Sequence, residues 1–146
     1  MIRSPRWRVY LDSNLFIRHV ESADDALIFL LEQAADDVLS LHASELTLAE
    51  VLVDPLRRHD RSRAALFGEI LTGDDWLQVV PVSRTILVRS AEVRAALGNK
   101  LPDAIHVATA MDCSCNVLVS SDRRLRTPSE MVRVSVDAVK DLDRWP

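Results

Sequence analysis

The sequence predicts an α/β domain with a mostly parallel sheet. Apolar runs rich in β-branched residues alternate with segments of helical periodicity, which is typical of parallel strands joined by helical crossovers. The chain has 146 residues, of which 48% are hydrophobic, enough for one substantial core. Internal repeats and linkers rich in Gly, Ser or Pro are absent from the sequence, so we expect residues 1–146 to form a single domain.

Five short apolar runs carry the strand prediction. They comprise residues 8–11, 38–41, 76–82, 117–119 and 131–136. Pro81 cannot donate a backbone hydrogen bond, so we expect the third of these strands to lie near a sheet edge.

Helical segments separate the predicted strands. They are a helix after Ser22, one from about Glu45, one over residues 61–71, one between Ser83 and Gly98, one beginning at Pro102 and one over residues 137–142. Ser22 and Asp25 have a spacing similar to a capping box, whereas Ser83 and Gly98 suit the start and the end of one helix. We expect Pro55 to end or redirect the helix that begins near Glu45.

Two of the predicted strands are followed closely by an aspartate. Asp12 follows the first strand, and Asp122 follows the strand at 117–119 after two serines. The carboxyl ends of parallel strands meet at the edge where α/β proteins form their sites, so we expect both side chains to face one crevice. Either aspartate alone is equally well explained by a turn or a helix cap.

The segment LPDAIHVATA at residues 101–110 places two polar residues on an otherwise apolar helix. A helix that is apolar nearly all round is predicted to be buried. Asp103 and His106 are three positions apart and therefore share one face. The helix dipole alone would explain Asp103. A buried histidine is most often a hydrogen-bonded core residue, so we expect His106 at most to support a site through a hydrogen bond.

Glu50 completes a set of four candidate carboxylates. It lies in the apolar run 46–53, where a glutamate needs a solvent-exposed face or a charged partner. Oxygen ligands suit Mg²⁺ or Mn²⁺, whereas zinc prefers histidine and cysteine. Two such ions can activate water and stabilise the leaving oxygen of a phosphodiester. The four acids together therefore indicate metal-dependent phosphodiester hydrolysis.

Four segments resemble the PIN-domain superfamily, most closely its VapC-type toxin ribonucleases. They follow the family's order and are YLDSNLFI at 10–17, SELTLAEVL at 44–52, LPDAIHVATA at 101–110 and LVSSDRRL at 118–125. The resemblance implies a three-layer α/β/α sandwich with a mostly parallel central sheet of four to five strands. It also implies a divalent-metal-dependent endoribonuclease that hydrolyses RNA phosphodiester bonds with a metal-activated water.

The resemblance assigns roles to individual residues. Asp12, Glu50, Asp103 and Asp122 match the family's acidic quartet. Asp12 and Asp103 are the implied direct ligands of Mg²⁺ or Mn²⁺, while Glu50 and Asp122 bind through water or position the attacking water. Ser120 and Ser121 stand where the family commonly has Thr and Asn. The polar residues expected to support the quartet are Ser13, Asn14, Ser120 and His106.

The charge distribution is compatible with an RNA substrate. The formal net charge of −4 argues against nucleic acid at first sight. With four of the 22 acids bound to metal, however, the remaining acids equal the 18 Lys and Arg residues in number. Arginine clusters are often merely solvated surface, but these flank the candidate acids. The arginines that we expect to contact RNA phosphates are Arg57, Arg58, Arg123 and Arg124.

The resemblance also implies partners. A small antitoxin would occupy the cleft of a dimeric toxin in a type II toxin–antitoxin pair, giving a homodimer and a toxin–antitoxin hetero-oligomer. The N-terminal residues lack an apolar leader pattern, and the longest apolar run is only six residues, 26–31. We therefore expect a cytoplasmic protein without a membrane partner. Cys113 and Cys115 are too few for a disulfide framework and too close for the usual zinc spacing, so we expect them to be packing residues.

Two alternatives stay open at the sequence level. A PIN-fold binding module would act mainly through an antitoxin or other protein partner with little catalysis, although it would not need four mutually repelling acids. A phosphoryl-transfer enzyme would use Asp12 as nucleophile. A second aspartate would then be expected two residues later, where this chain has Asn14.

Overall fold

The computed structural model describes residues 4–146, which form a five-stranded sheet with helices on both faces. The strands are β1 Trp7–Leu11, β2 Leu39–Ser44, β3 Gln78–Val80, β4 Val117–Val119 and β5 Val132–Val134. The α-helices are α1 Ser13–Ser22, α2 Ala26–Ala35, α3 Leu46–Val51, α4 Val53–Arg57, α5 Arg61–Ile70, α6 Arg84–Leu97 and α7 Leu101–Asp112. Two 3₁₀ turns follow β5, namely Val136–Ala138 and Leu142–Arg144.

The sheet has the order β3-β2-β1-β4-β5, and every neighbouring pair is parallel. Val9 at the centre lies opposite Leu41 on β2 and Val117 on β4. The all-parallel sheet confirms the α/β prediction, and β3 lies at an edge as expected from Pro81. Because β1 is central, the residue after it lies between the carboxyl ends of β2 and β4.

Alternation along β1 separates two apolar cores. Val9 and Leu11 face a core built with α1, α2 and α5, whereas Tyr10 faces a second core built with α6 and α7. Parallel strands buried on both faces need helices on both sides, which gives the three layers.

Helix α7 is the most deeply buried helix in the described part of the chain. Every residue from Ala104 to Ala110 is buried, as its nearly continuous apolar sequence predicts. The helix packs against α6 and against β2, with Asp103 in its first turn. None of the helices within residues 4–146 is long and apolar enough to cross a membrane.

The predicted start of the second helix is wrong, and the first helix was missed. Helix α1 begins directly after Asp12 and ends at Ser22, so Ser22 does not cap the helix that follows. The carboxylate of Asp24 accepts a hydrogen bond from the backbone N–H of Ala26 at 2.9 Å and fixes the start of α2 instead. The capping-box spacing of Ser22 and Asp25 was therefore coincidental.

The predicted C-terminal helix is replaced by the two 3₁₀ turns. Val136 and Val139, three residues apart, are both buried against the sheet, and a three-residue turn places them on one side. Trp145 then packs edge-on against Trp7, with ring centroids 5.8 Å apart. Burial of these apolar side chains therefore outweighs the weak helical tendency of this short segment.

Candidate metal-binding active site

Asp12 occupies the junction between β1 and α1, and the residue is 4% exposed. Oδ1 accepts a hydrogen bond from the backbone N–H of Ser13 at 2.8 Å and so caps α1. Oδ2 accepts a hydrogen bond from the Ser120 hydroxyl at 2.7 Å. These hydrogen bonds fix the position of the carboxylate at the carboxyl end of the central strand.

Asn14 and Ser120 join the ends of β1 and β4. The Asn14 amide donates to Asp12 Oδ2 at 3.2 Å, and its carbonyl oxygen accepts from the backbone N–H of Ser121 at 3.3 Å. Ser120 Oγ in turn accepts from the backbone N–H of Asp122 at 3.0 Å. The polar residues that follow the two strands therefore hold Asp12 and Asp122 at one edge of the sheet.

His106 projects from the buried face of α7 toward two carboxylates. Its Nε2 is hydrogen-bonded to Glu50 Oε1 and lies 3.6 Å from Asp12 Oδ1. The imidazole is fully buried, whereas the Glu50 side chain is 30% exposed and reachable from solvent. Burial lowers the pKa of His106, but the Glu50 hydrogen bond and the charges of Asp12, Glu50 and Asp103 together raise it above its ordinary value.

Tyr10 lies behind the histidine. Its hydroxyl is 2.5 Å from His106 Nδ1, and its ring is fully buried beneath α7. Burial, followed by the charges of Asp12 and Glu50, raises the pKa of Tyr10 well above its ordinary value. The phenol therefore stays protonated and fixes the orientation of the imidazole.

Asp103 and Asp122 line an adjoining cleft of about 240 Å³. Burial, then the charges of Asp12 and Asp122, raises the pKa of Asp103. Hydrogen bonds from Arg124 lower the pKa of Asp122; its backbone N–H lies at 2.9 Å and its Nε at 3.4 Å from Oδ1. The other residues that line this cleft are Gly98, Asn99, Lys100 and Arg126. A cluster of acids thus lies beside three cationic side chains.

The donor atoms fit a divalent cation. Asp12, Glu50 and His106 each offer one ligand atom. These three atoms lie within 4.8 Å of one another, which is close to the spacing of ligands around one ion. Asp103 lies near enough for the charges of Asp12, Glu50 and Asp122 to raise its pKa. Four carboxylates in one region repel each other unless a cation compensates them.

The structure thus brings together all four acids that the sequence singled out, with Ser13, Asn14, Ser120 and His106 around them. Of the four predicted RNA-contacting arginines, only Arg124 lines the cleft. Arg57, Arg58 and Arg123 are exposed, and Arg58 pairs with Asp54 at 3.2 Å.

Sequence reasoning missed Tyr10, Lys100 and Arg126. Tyr10 stands two positions before Asp12 in β1, so strand alternation already placed it on the face that α7 covers. Lys100 directly precedes α7 and Arg126 follows Asp122 by four positions, so their closeness to acidic residues in the chain was the available signal.

Comparisons with known proteins agree with this architecture. The sequence profile of the PIN domain matches residues 9–130. The chain belongs to the PIN-domain family. A search of curated proteins found no match.

Solved structures share the PIN fold at low sequence identity. DNA-bound VapBC from Salmonella typhimurium aligns with a TM-score of 0.69 at 14% identity, covering 89% of this chain and 98% of that one. VapBC2 from Rickettsia felis, bound to a promoter DNA fragment, gives 0.67 at 15%, covering 88% and 98%. VapC20 from Mycobacterium tuberculosis, described as a Sarcin-Ricin loop cleaving toxin, gives 0.59 at 14%, covering 75% and 86%.

Proposed function

We propose that this PIN-domain protein is a divalent-metal-dependent endoribonuclease and the toxin of a type II toxin–antitoxin pair in the cytoplasm. The observation that carries the proposal is the convergence of four carboxylates at the carboxyl end of the sheet beside a cleft lined by cations. Asp12, Glu50, Asp103 and Asp122 come from four separate parts of the chain, and folding alone brings them together.

The acids would hold Mg²⁺ or Mn²⁺. Asp12 and Asp103 are the proposed direct ligands, because Asp12 is held rigidly by its hydrogen bonds and Asp103 projects from the first turn of a buried helix. Glu50, which is partly exposed, and Asp122, whose Oδ1 is fixed by Arg124, would orient the attacking water. A divalent cation in such a site polarises the scissile phosphodiester and lowers the pKa of water.

The cations around the cleft would position RNA. Lys100, Arg124 and Arg126 lie beside Asp103 and Asp122, where they can contact phosphates that flank the cleaved bond. Such contacts do not select a base sequence, so they fix the register of the strand rather than its identity.

A protein partner is proposed from the structural neighbours and from the surface. Several neighbours are complexes of a toxin with its antitoxin. Helix α5 contacts both α1 and α4, and the three helices expose Ile17, Leu56 and Leu66, with Leu56 62% exposed. Exposed apolar side chains of this kind favour a protein partner. We propose that an antitoxin covers this side of a dimeric toxin.

Cleavage of a total small-RNA pool tests the nuclease. The purified chain would be incubated with Mg²⁺, with Mn²⁺ and with EDTA, alongside Asp103→Asn. Asp112→Asn is the matched control, because Asp112 is an exposed aspartate at the other end of the same helix. We expect discrete fragments that require metal, vanish in Asp103→Asn and persist in Asp112→Asn.

Three results would contradict this proposal. Cleavage that persists in EDTA would show that the reaction needs no divalent metal. Cleavage that persists in Asp103→Asn would show that this carboxylate takes no part in the reaction. If no lane shows cleavage while the chain binds a protein partner tightly, the protein acts as a PIN-fold binding module instead.

A further inference from the structure

We propose that His106 is itself a ligand of the metal site, through Nε2, and that the site therefore favours Mn²⁺ over Mg²⁺. The inference rests on the proposed function only for the presence of a metal site, and it replaces the oxygen-only ligand set expected from the sequence. It also gives His106 a more direct role than a supporting hydrogen bond.

The position of Nε2 is the first argument. It is hydrogen-bonded to Glu50 Oε1 and lies 3.6 Å from Asp12 Oδ1. Donor atoms that are each about 2.1 Å from one ion lie about 3–4 Å apart. Nε2 therefore stands at a ligand's distance from Asp12 and faces the same space as Glu50.

The opposite ring nitrogen supplies the second argument. Ligation through Nε2 requires that the imidazole proton reside on Nδ1, and metal-bound histidines almost always donate that proton to a hydrogen-bond acceptor. Tyr10 provides one, since its hydroxyl oxygen lies 2.5 Å from Nδ1. The Tyr10 side chain is itself fully buried, so its hydroxyl holds the imidazole in one orientation.

Helix geometry supplies the third argument. Asp103 and His106 are three residues apart on α7 and share one face. A carboxylate and a histidine at this spacing also serve as ligands in the di-iron and di-manganese carboxylate helix bundles. Since α7 is buried from Ala104 to Ala110, the side chain of His106 is held in place, and Asp103 lies directly before this buried stretch.

The donor set determines which ion is favoured. Mg²⁺ is a hard cation that takes oxygen ligands and keeps several waters, whereas imidazole nitrogen suits first-row transition ions. Replacing one oxygen by Nε2 therefore shifts the preference of the site from Mg²⁺ toward Mn²⁺. A ring that only oriented Glu50 would leave an oxygen-only site without this shift.

Pulsed electron paramagnetic resonance of Mn²⁺ bound to the full chain tests the ligand directly. We expect echo modulation from a coordinated nitrogen in the wild-type protein. The pattern should change when histidine is labelled with ¹⁵N, which identifies imidazole as its source. This measurement requires no substitution, so it does not depend on how a buried variant folds. Mn²⁺ bound without nitrogen modulation, or no binding of Mn²⁺, would overturn the proposal.

Variants then assign the nitrogen to one residue. His106→Gln should lose the modulation and weaken Mn²⁺ binding at least tenfold by calorimetry, with a smaller change for Mg²⁺. His42→Gln replaces a second buried histidine on β2 and should keep both properties. Modulation that persists in folded His106→Gln would overturn the assignment.

The nuclease assay separates the two proposals. Metal-dependent RNA cleavage by a protein without nitrogen modulation removes only the histidine ligand. Nitrogen modulation in a protein that cleaves no RNA keeps the ligand and removes the nuclease.

Discussion

The hydroxyl of Ser120 donates a hydrogen bond to Asp12 Oδ2 at 2.7 Å, joining two strand ends that are 108 positions apart in the sequence. The hydroxyl oxygen of Ser120 also accepts a hydrogen bond from the backbone N–H of Asp122. One buried serine therefore fixes a central carboxylate and the turn that carries a second one.

Removal of this hydroxyl should destabilise the fold and the site together. Ser120→Ala leaves the Asp122 N–H without its acceptor and Asp12 Oδ2 with one donor fewer. We expect the free energy of unfolding to fall by about 2 kcal/mol, measured by urea denaturation in EDTA. Ser120→Thr keeps a hydroxyl and should lose less.

Ser121→Ala is the matched control for this change. Ser121 is exposed and contributes its backbone N–H to Asn14, which alanine retains. An equal loss of stability in Ser121→Ala would show that the hydroxyl of Ser120 has no special role.

Neutralising Asp103 should stabilise the chain in EDTA. Its pKa is raised by burial and by the charges of Asp12 and Asp122, so the ionised carboxylate is less stable in the fold than in the unfolded chain. We expect Asp103→Asn to raise the free energy of unfolding at pH 7 by about 1 kcal/mol and to reduce the further stabilisation that Mn²⁺ gives. Thermal unfolding with and without Mn²⁺ measures both. A fall in stability in EDTA would mean that Asp103 serves the fold rather than the site.

The fold was predictable because its main signals are local. Strand runs around β1 and β4, the caps at Ser83 and Gly98 and the apolar sequence of α7 each determine one element by themselves. Helix α1 escaped notice because its cap is Asp12 itself, a residue interpreted as the end of a strand and as part of a site. Asp12 both follows the end of β1 and caps α1, because the strand ends directly before it and the helix begins directly after it.

The site was predictable only in part. Its four acids stand at strand ends or on buried helices, and that pattern can be recognised in the sequence. The contact between Tyr10 and His106 joins residues 96 positions apart and depends on how α7 lies across β1. Likewise, Lys100 and Arg126 line one cleft only through the fold, where Asn99 holds the backbone of Arg126 with hydrogen bonds of 2.7 and 2.9 Å. Periodicity alone cannot specify such pairings.

His42 should make the fold less stable in mild acid. Burial, then the charge of Arg8, lowers the pKa of His42 below its ordinary 6.5, and Nδ1 has no hydrogen-bond partner. Between the folded pKa and 6.5 the unfolded chain binds more protons than the native one. Stability due to this group is therefore present above pH 6.5 and is lost as the pH falls through that window.

The test is the difference between variant and wild type. His42→Gln should flatten this part of the stability profile, measured by denaturant midpoints from pH 7.5 to 5. His59→Asn is the control, because His59 is exposed and has a positive φ of 55° that asparagine tolerates. Equal slopes in wild type and His42→Gln would refute the assignment.

RNA binding should depend on the cations of the cleft and not on the exposed arginines of α4. Lys100 and Arg124 line the cleft with Asp103 and Asp122, whereas Arg57 is exposed at the end of α4. In an Asp103→Asn background, which should leave RNA intact, Lys100→Ala or Arg124→Ala should weaken binding of a single-stranded RNA. Each should also reduce the slope of log K against log salt by about 0.7. Arg57→Ala should change neither quantity. If Arg57→Ala has the same effect as the cleft variants, the strand follows α4 and the cleft does not position it.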